Sequence, residues 1–297
     1  MADSKAKARH AKAVRLTYYT SDALPLMRFQ AAAGVQPRAQ FTRAPRAGLS
    51  DRCRFSASQY FHAAAKPVPV SPRFLGLVPA AGVGARMGAD GPKQYLRLGG
   101  RSLLEHSVHA LMADSRIASV LVVVAPGAQP ALQLPPGATV AMVGGPSRAQ
   151  SVLNGLRLLA RQADRTDRVL VHDAARPCLA AIDLAALIDG VGHLESGGLL
   201  ASAVADTLKQ VVDGEVIGTA PRSGLWAAQT PQLFALGILL DALEGAEDLQ
   251  TVTDESSAVE RLGRRPRVIR ATAANPKVTT PADWPLAEAA LRAQGRW

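Results

Sequence analysis

The feature that most constrains the fold of this chain is a glycine-rich segment, residues 79–88, which directly follows a short apolar run. The run, residues 75–78, is typical of a buried strand, and the segment has the sequence Pro-Ala-Ala-Gly-Val-Gly-Ala-Arg-Met-Gly. Glycines let backbone N–H groups approach an anion closely. Arg86 and Lys93 add two positive charges. Such a turn suits a nucleoside triphosphate, since fixed cations neutralise the oxygens of a phosphorus under attack.

Two better-known phosphate-binding motifs do not fit this loop. A Walker P-loop requires G-x-x-x-x-G-K-[ST], and that string does not occur in the sequence. A dinucleotide-binding turn requires G-x-G-x-x-G, whereas the spacing here is Gly82-x-Gly84-x-x-x-Gly88, and no acidic residue follows the next predicted strand. A tight turn without a ligand is the remaining alternative, and the cations Arg86 and Lys93 argue against it.

The positive charge of the chain is confined to its N-terminal quarter. The 297 residues carry a formal net charge of +10. Residues 1–73 hold 13 of the 34 basic and 3 of the 24 acidic residues, which leaves 21 of each for residues 74–297. Because the basic segment lacks core-forming periodicity, we expect a largely disordered extension followed by a 74–297 domain. Three origins are open: an upstream stretch included in the reading frame, which is favoured, a targeting peptide, or a nucleic-acid-binding tail.

Hydropathy and cysteine content bear on the compartment. No apolar run approaches the ~20 residues of a membrane span, so no membrane partner is expected. Cys53 and Cys178 form no C-x-x-C pair, and Cys178 is interpreted as a small packed side chain. We therefore expect a cytoplasmic protein, with a plastid location open if residues 1–73 are a transit peptide.

Predicted strands and helices alternate after residue 73. We expect strands over residues 75–78, 119–125, 139–143, 168–172, 198–204 and 267–271. We expect helices after the capping-box residue Ser102 and over residues 147–163, 183–194, 254–262 and 281–292. This alternation predicts a three-layer, Rossmann-like α/β domain with a mainly parallel sheet.

One interval breaks the alternation. Residues 206–220 have the pattern of two strands joined at Asp213-Gly214, and Asp-Gly is a strong hairpin signal. An isolated hairpin is barely stable by itself. We therefore expect residues 206–224 to form an arm that reaches a second subunit, which predicts a homodimer.

Small, hydroxyl-bearing and charged residues follow the ends of the predicted strands, where open α/β sheets bind their ligands. These residues are Gly82, Gly84, Arg86, Lys93, Gly145, Arg148, Ser151, Asp173, Thr207 and Lys277. The combination predicts a nucleotide site with a metal. Asp173 is the best metal candidate, because Mg²⁺ in triphosphate sites is held by one or two carboxylates, phosphate oxygens and waters. Its alternative role is a helix N-cap. Arg222, just after the hairpin, suits the phosphate of a second substrate.

Nine short motifs occur in order along residues 74–293. They begin at Pro79, Pro92, Leu104, Val171, Asp206, Arg222, Gln229, Thr253 and Lys277. The fourth is Val171-His-Asp-Ala-Ala-Arg-Pro177, and the seventh is Gln229-Thr-Pro-Gln232. Together they resemble the 2-C-methyl-D-erythritol 4-phosphate cytidylyltransferases of the non-mevalonate isoprenoid pathway. The first motif alone would fit many sugar-phosphate nucleotidyltransferases.

The resemblance implies a Mg²⁺-dependent transfer of CMP from CTP to 2-C-methyl-D-erythritol 4-phosphate, with release of pyrophosphate. By matching position, it implies catalytic roles for Arg86, Lys93 and Lys277. It assigns the nucleotide to Ala80, Ala81, Gly82, Gly84, Gly145, Ser151 and Ala174. It assigns the second substrate to Asp173, Thr207, Lys209, Arg222 and Thr230. Asp173 also serves the metal, and the arm residues act in the partner subunit's site.

Two alternatives stay open. A cytidylyltransferase for another polyol phosphate, such as ribitol 5-phosphate, would share the glycine loop and the arm. A basic-tailed nucleic-acid-binding protein is more distant, since residues 74–297 carry no net charge. Pro146 departs from the family, in which an acidic residue commonly follows the glycine pair, and it leaves the base contacts at that point open.

Overall fold

The computed structural model describes residues 71–82 and 91–297. Gly84, Arg86 and the predicted extension up to residue 70 lie outside the described residues. The strands are β1 (Phe74–Pro79), β2 (Arg97–Leu98), β3 (Arg101–Ser102), β4 (Ile117–Val123), β5 (Ala138–Ala141), β6 (Arg168–Val171), β7 (Gly198–Ala203), β8 (Leu208–Val212), β9 (Glu215–Ala220), β10 (Trp226–Ala235) and β11 (Arg267–Arg270). The helices are α1 (Leu103–Met112), α2 (Arg148–Leu159), α3 (Ala181–Val191), α4 (Leu236–Glu244), α5 (Glu255–Glu260) and α6 (Trp284–Ala293).

A sheet of seven strands organises the domain, in the order β11-β7-β10-β6-β1-β4-β5. β1 pairs in parallel with β4 and β6, β4 with β5, and β7 with β11. β10 runs antiparallel to both of its neighbours, β6 and β7. The sheet is therefore mainly parallel, as the alternation of elements predicted.

Helices cover both faces of this sheet. Leu77 and Val78 are adjacent on β1 and fully buried, but they join different core clusters because successive strand side chains point to opposite faces. Val78 packs in the cluster that α1 and α3 supply, and Leu77 packs in the cluster that α2, α4 and α5 supply. The predicted three-layer α/β fold is confirmed.

The start of the domain is held by specific hydrogen bonds. Arg73, the last residue of the predicted extension, donates its backbone N–H to Asp167 at 2.8 Å and its guanidinium to the same carboxylate at 2.7 and 3.0 Å. The capping box before α1 is also present, since Ser102 accepts from Glu105 N–H at 3.2 Å and Glu105 accepts from Ser102 N–H at 2.6 Å. Local sequence therefore fixes where α1 begins.

The elements β10 and α4 were not predicted from the sequence, and neither were the two-residue strands β2 and β3. β10 contains Pro231, which cannot donate to a strand ladder, and its pairing with β7 shifts register between Ala228 and Gln232. α4 follows β10 directly and has Ala235 as its N-cap, without a side-chain hydrogen bond. Several predicted bounds were also too wide: the expected helix over residues 147–163 spans Arg148–Leu159.

The predicted hairpin is present and forms its own two-stranded sheet, β8 with β9. Asp213 has a φ of 49° and Gly214 a φ of 85°, and both positive values suit the tight turn of a two-residue hairpin loop. Val211, Val212, Val216 and Ile217 are each more than half exposed. We call residues 206–224 the arm. Among the described helices, none has the length and apolar character needed to cross a bilayer.

Candidate functional site

A cavity of about 530 Å³ opens at the carboxyl ends of β1, β5 and β6. Its lining residues are Pro79, Ala80, Ala81, Gly82, Lys93, Gln94, Gly145, Pro146, Ser147, Arg148, Ser151, Asp173, Ala174, Ala175 and Lys277. These are the strand ends at which the sequence predicted a ligand. Four of these lining residues are charged, three cations and one carboxylate, and we call them the charged end of the cavity. The others are uncharged and mostly small, and we call them the small half.

The small half of the cavity depends on close backbone packing. Gln94, buried under the loop, donates its side-chain amide to the carbonyl oxygens of Ala80 and Gly82, both at 2.8 Å. A Cβ on Gly144 would lie 2.3 Å from the Cβ of Ala81, so only glycine allows this approach. The Gly145 N–H donates to the Ser151 hydroxyl at 3.0 Å. These contacts bring together six of the residues predicted to bind the nucleotide: Ala80, Ala81, Gly82, Gly145, Ser151 and Ala174.

Asp173 lies between two cations at the charged end. Its Oδ1 is 2.8 Å from Arg148 Nε, and its Oδ2 is 2.8 Å from Lys277 Nζ. Burial by itself would raise the pKa of this carboxyl, but the charges of Arg148 and Lys277 outweigh burial and hold the pKa well below its ordinary value. Asp173 is therefore ionised at neutral pH. It does not cap a helix, since the next helix, α3, has Ala180 as its N-cap.

Lys277 lies in a loop that is fixed on both sides. Before it, Asn275 donates its side-chain amide to the carbonyl of Thr230 at 3.0 Å. After it, the buried Val278 donates its N–H to the carbonyl of Ala175 at 2.8 Å. Lys93 donates to the carbonyl of Val278 at 2.7 Å. The two lysines thus reach the same cavity from segments 184 residues apart in the sequence.

Arg148 is held from behind by a buried carboxylate. Its Nη1 lies 2.7 Å from Glu255 Oε1 and its Nη2 lies 3.1 Å from Glu255 Oε2. Sequence reasoning placed Arg148 at a strand end but gave it no role, and it gave none to Glu255. The signal was weak: Asp254 and Glu255 belong to one of the nine motifs, but nothing in the motif indicates a partner 107 residues away.

Thr230 and His172 support Asp173 from beneath. The backbone N–H of Asp173 donates to the Thr230 hydroxyl at 3.0 Å, and that hydroxyl lies 3.0 Å from His172 Nδ1. His172 Nε2 is 3.0 Å from the carbonyl oxygen of Arg176, which only accepts, so Nε2 carries the proton and Nδ1 accepts from Thr230. Burial lowers the pKa of His172 to about 4, so the ring is neutral. His172 is thus a packed, hydrogen-bonded histidine at the end of β6.

The predicted second-substrate residues are not all gathered at the cavity. Thr230 is buried behind Asp173 and does not line it. Thr207, Lys209 and Arg222 lie on the arm, where Lys209 donates to Thr219 Oγ1 at 2.7 Å and Arg222 donates to the carbonyl of Ala205. Within a single chain these three residues do not line the cavity.

A divalent cation would find limited protein ligands here. Asp173 is the sole acidic residue among those that line the cavity, and no cluster of three His, Cys, Asp or Glu side chains suited to a metal occurs among the described residues. The donor set therefore fits a cation held by one carboxylate, with its other ligands from phosphate oxygens and water, as is usual for Mg²⁺.

The chain is similar to proteins of one known family. Residues 75–293 match the family model described as IspD, 2-C-methyl-D-erythritol 4-phosphate cytidylyltransferase. A protein of that name from Azoarcus sp. is 49% identical over 224 residues, which are 73% of this chain and 93% of that protein. Another, from Laribacter hongkongensis, is 51% identical over 224 residues, covering 74% and 96%.

Solved structures of the same family are also similar to this chain. The crystal structure of 2-C-methyl-D-erythritol 4-phosphate cytidylyltransferase from Francisella tularensis matches with a TM-score of 0.65 and 32% identity, covering 74% of this chain and all of that one. The structure of this enzyme from Thermus thermophilus matches with a TM-score of 0.60 and 34% identity, covering 74% and 99%. The family-model match over residues 75–293 includes the residues that line the cavity and those of the arm.

Proposed function

The chain belongs to the 2-C-methyl-D-erythritol 4-phosphate cytidylyltransferase family, and we infer that it transfers CMP from CTP to 2-C-methyl-D-erythritol 4-phosphate. The products are 4-diphosphocytidyl-2-C-methyl-D-erythritol and pyrophosphate, and the reaction serves isoprenoid precursor synthesis. The observation that carries this inference is the match over residues 75–293, which contains the cavity with its small and its cationic halves.

The nucleotide occupies the small half of the cavity in this proposal. Gly82 and Gly145 offer backbone without side-chain bulk, and the closely packed loops give the cytidine a fixed wall. Gly84, outside the described residues, is proposed to continue this wall. Ala80, Ala81, Ser151 and Ala174 complete it.

The reaction needs positioned charge more than covalent participation. An oxygen of the methylerythritol phosphate attacks the α-phosphorus of CTP, and the bond to the β-phosphate oxygen breaks as pyrophosphate leaves. Lys93 and Lys277, at the charged end, are proposed to neutralise the negative charge that builds on the α-phosphate oxygens. Arg86 has the same proposed role, and its position lies outside the described residues.

Mg²⁺ is the proposed cofactor, with Asp173 as its protein ligand. Bound there with phosphate oxygens and water, Mg²⁺ would neutralise triphosphate charge and orient the leaving pyrophosphate. Asp173 suits this role because it is ionised and lines the cavity. Thr230 is proposed to support the second substrate through Asp173, whose backbone it fixes.

A homodimer is proposed because the arm exposes apolar side chains. Val211, Val212, Val216 and Ile217 are 52 to 66% exposed, and burying such residues against a second copy would stabilise a dimer. Thr207, Lys209 and Arg222 lie on the same arm, so a dimer could bring them to the partner's cavity. There they would bind the phosphate of the second substrate.

The remaining proposals concern location and other partners. We propose a cytoplasmic location on the basis of the cysteine content. We expect no nucleic-acid partner, because residues 74–297 carry equal numbers of basic and acidic residues. Salt-dependent binding of nucleic acid to the full chain, but not to a 74–297 fragment, would instead support the basic-tailed alternative.

Release of pyrophosphate from CTP and Mg²⁺ tests the proposed activity. We expect rapid release of pyrophosphate when methylerythritol phosphate is present. Without an acceptor, or with ribitol 5-phosphate, we expect only background release. Comparable turnover of ribitol 5-phosphate would instead assign the chain to another polyol phosphate.

A further inference from the structure

Glu255 is a buried carboxylate whose two oxygens both accept a hydrogen bond from one cation, Arg148. Its side chain is 2% exposed and grips Arg148 through both Nη groups, at 2.7 and 3.1 Å. A two-bond grip of this kind fixes the plane of a guanidinium as well as its position. Arg148 is therefore held in a single orientation from behind the cavity.

The backbone of Glu255 is fixed in position because the start of α5 is hydrogen-bonded to β10. Gln232 on β10 donates its amide to Asp254 at 2.8 Å and accepts the backbone N–H of Ser256 at 2.8 Å. Gln232 is itself 1% exposed. Glu255 lies between these two anchored residues, so its backbone is held in place if the guanidinium moves.

The contact between Glu255 and Arg148 determines which partner each oxygen of the Asp173 carboxylate has. With its Nη groups directed at Glu255, Arg148 contacts Asp173 through Nε, and it meets Oδ1 alone. Oδ2 is left for Lys277 at 2.8 Å. An Arg148 freed from Glu255 could turn its fork towards Asp173, and a guanidinium fork suits both oxygens of a carboxylate. Lys277 would then lose its partner.

We propose that Glu255 is a positioning residue for cytidylyl transfer: it acts through Arg148 and Asp173 to keep Lys277 directed at the reacting phosphates. This rests on the proposed function for its kinetic consequence, but the chain of contacts can be tested without substrate. Lys277 has a side chain that is 42% exposed, so an amine-reactive reagent can reach it.

The first experiment measures the rate at which trinitrobenzenesulfonate modifies Lys277, by peptide mass spectrometry on the full chain, with Lys209 as internal reference. Glu255→Gln should speed modification of Lys277 relative to Lys209 by about fivefold, the range for loss of one partly exposed ion pair. Glu260→Gln, at the other end of α5, is the matched control and should leave the ratio unchanged.

The double variant Arg148→Gln/Glu255→Gln separates positioning from a general loosening of the fold. Without its guanidinium, residue 148 no longer competes with Lys277 for Asp173, so the modification rate of Lys277 should return towards the native value. An unchanged rate in Glu255→Gln, or an undiminished rate in the double variant, would overturn the proposal. If Glu255→Gln does not fold, Glu255→Asp keeps the charge but shortens its reach, and the same two outcomes decide.

Kinetics supply the second measurement. Glu255→Gln should lower kcat by roughly tenfold through misplacement of Lys277, with little change in KM for CTP. A rise in the KM for CTP with kcat unchanged would contradict a positioning role for Glu255. If the native chain shows no transferase activity, the proposed function fails, whereas the modification experiment still tests the contacts from Glu255 to Lys277.

Discussion

The hydroxyl of Thr230 accepts the backbone N–H of Asp173 at 3.0 Å, which ties β10 to the turn after β6 at the mouth of the cavity. Both residues are buried, so the N–H has no access to bulk water. The bond therefore holds the backbone from which the Asp173 carboxylate projects. It also gives Thr230 a role that does not require contact with a substrate.

Replacement of Thr230 tests this role. Thr230→Val keeps the shape but removes the acceptor, and a buried N–H left unpaired costs about 1–3 kcal/mol. We expect a lower free energy of unfolding in urea and a lower kcat, while Thr230→Ser restores most of both. Equal stability and turnover in Thr230→Val and the native chain would show that the hydrogen bond does not matter.

The buried imidazole of His172 predicts a pH dependence of stability. Its pKa is lowered by burial from 6.5 to about 4. Between these two pH values the imidazole is protonated in the unfolded chain but neutral in the folded chain. The contribution of His172 to stability should therefore fall as pH drops below 6.5 and level off below about 4, by roughly 3 kcal/mol in total.

Urea unfolding at a series of pH values measures this slope. His172→Asn keeps an acceptor for the Thr230 hydroxyl and cannot titrate, so its slope between pH 6.5 and 4 should be shallower. A residual slope is expected, because burial also lowers the pKa of His106. Identical slopes in the variant and the native chain would remove His172 as the cause.

Much of the fold could be predicted because its signals are local. The capping box at Ser102 and Glu105, the Asp213-Gly214 turn and the valine run of β4 each involve residues a few positions apart. β10 was missed for the opposite reason. Its Pro231 and polar neighbours weaken the strand pattern, and only its pairing with β6 and β7 makes it a strand.

The site shows the same division. Residues such as Asp173 and Lys93 could be found because ligands gather at strand ends and because a motif marks them. The ion pair between Arg148 and Glu255 could not, since it joins two helices that meet only in the folded chain. The position of the arm in a second subunit's site depends on how two chains associate, which local sequence does not determine, and it stays a prediction.

Lys93 is predicted to act on charge that develops in the transition state. Lys93→Ala should lower kcat by about 100- to 1000-fold while changing the affinity for CTP far less. Arg157→Ala is the control, because it removes a cation from the exposed side of α2, where Arg157 pairs with Glu244. Steady-state kinetics and CTP titration separate the two effects. Near-native turnover of Lys93→Ala would contradict the assignment.

Asp173 is predicted to hold the metal. Asp173→Asn removes the negative charge at nearly constant volume, so the Mg²⁺ concentration for half-maximal activity should rise at least about tenfold. Asp189→Asn makes the same change at an exposed ion pair with Arg116 and should leave the Mg²⁺ dependence alone. An unchanged requirement in Asp173→Asn would limit Asp173 to its pairing with Arg148 and Lys277.

The arm predicts a site shared between two subunits. Lys93 lines the cavity of its own chain, whereas Arg222 lies on the arm and does not reach that cavity. In a two-fold dimer, each arm would bring its Arg222 to the partner's Lys93. Lys93→Ala and Arg222→Ala homodimers should therefore both be nearly inactive, each for lack of a different cation.

Mixing the two inactive variants decides whether the site is shared. After subunit exchange, a mixed dimer has one site that lacks both cations and one that contains an intact Lys93 and an intact Arg222. Since half of the dimers are mixed at equal concentrations, activity should recover to roughly a quarter of the native value per subunit. Mass spectrometry of differently tagged chains must show that mixed dimers form. If they form and remain inactive, Arg222 acts within its own subunit or not at all, and the arm serves association alone.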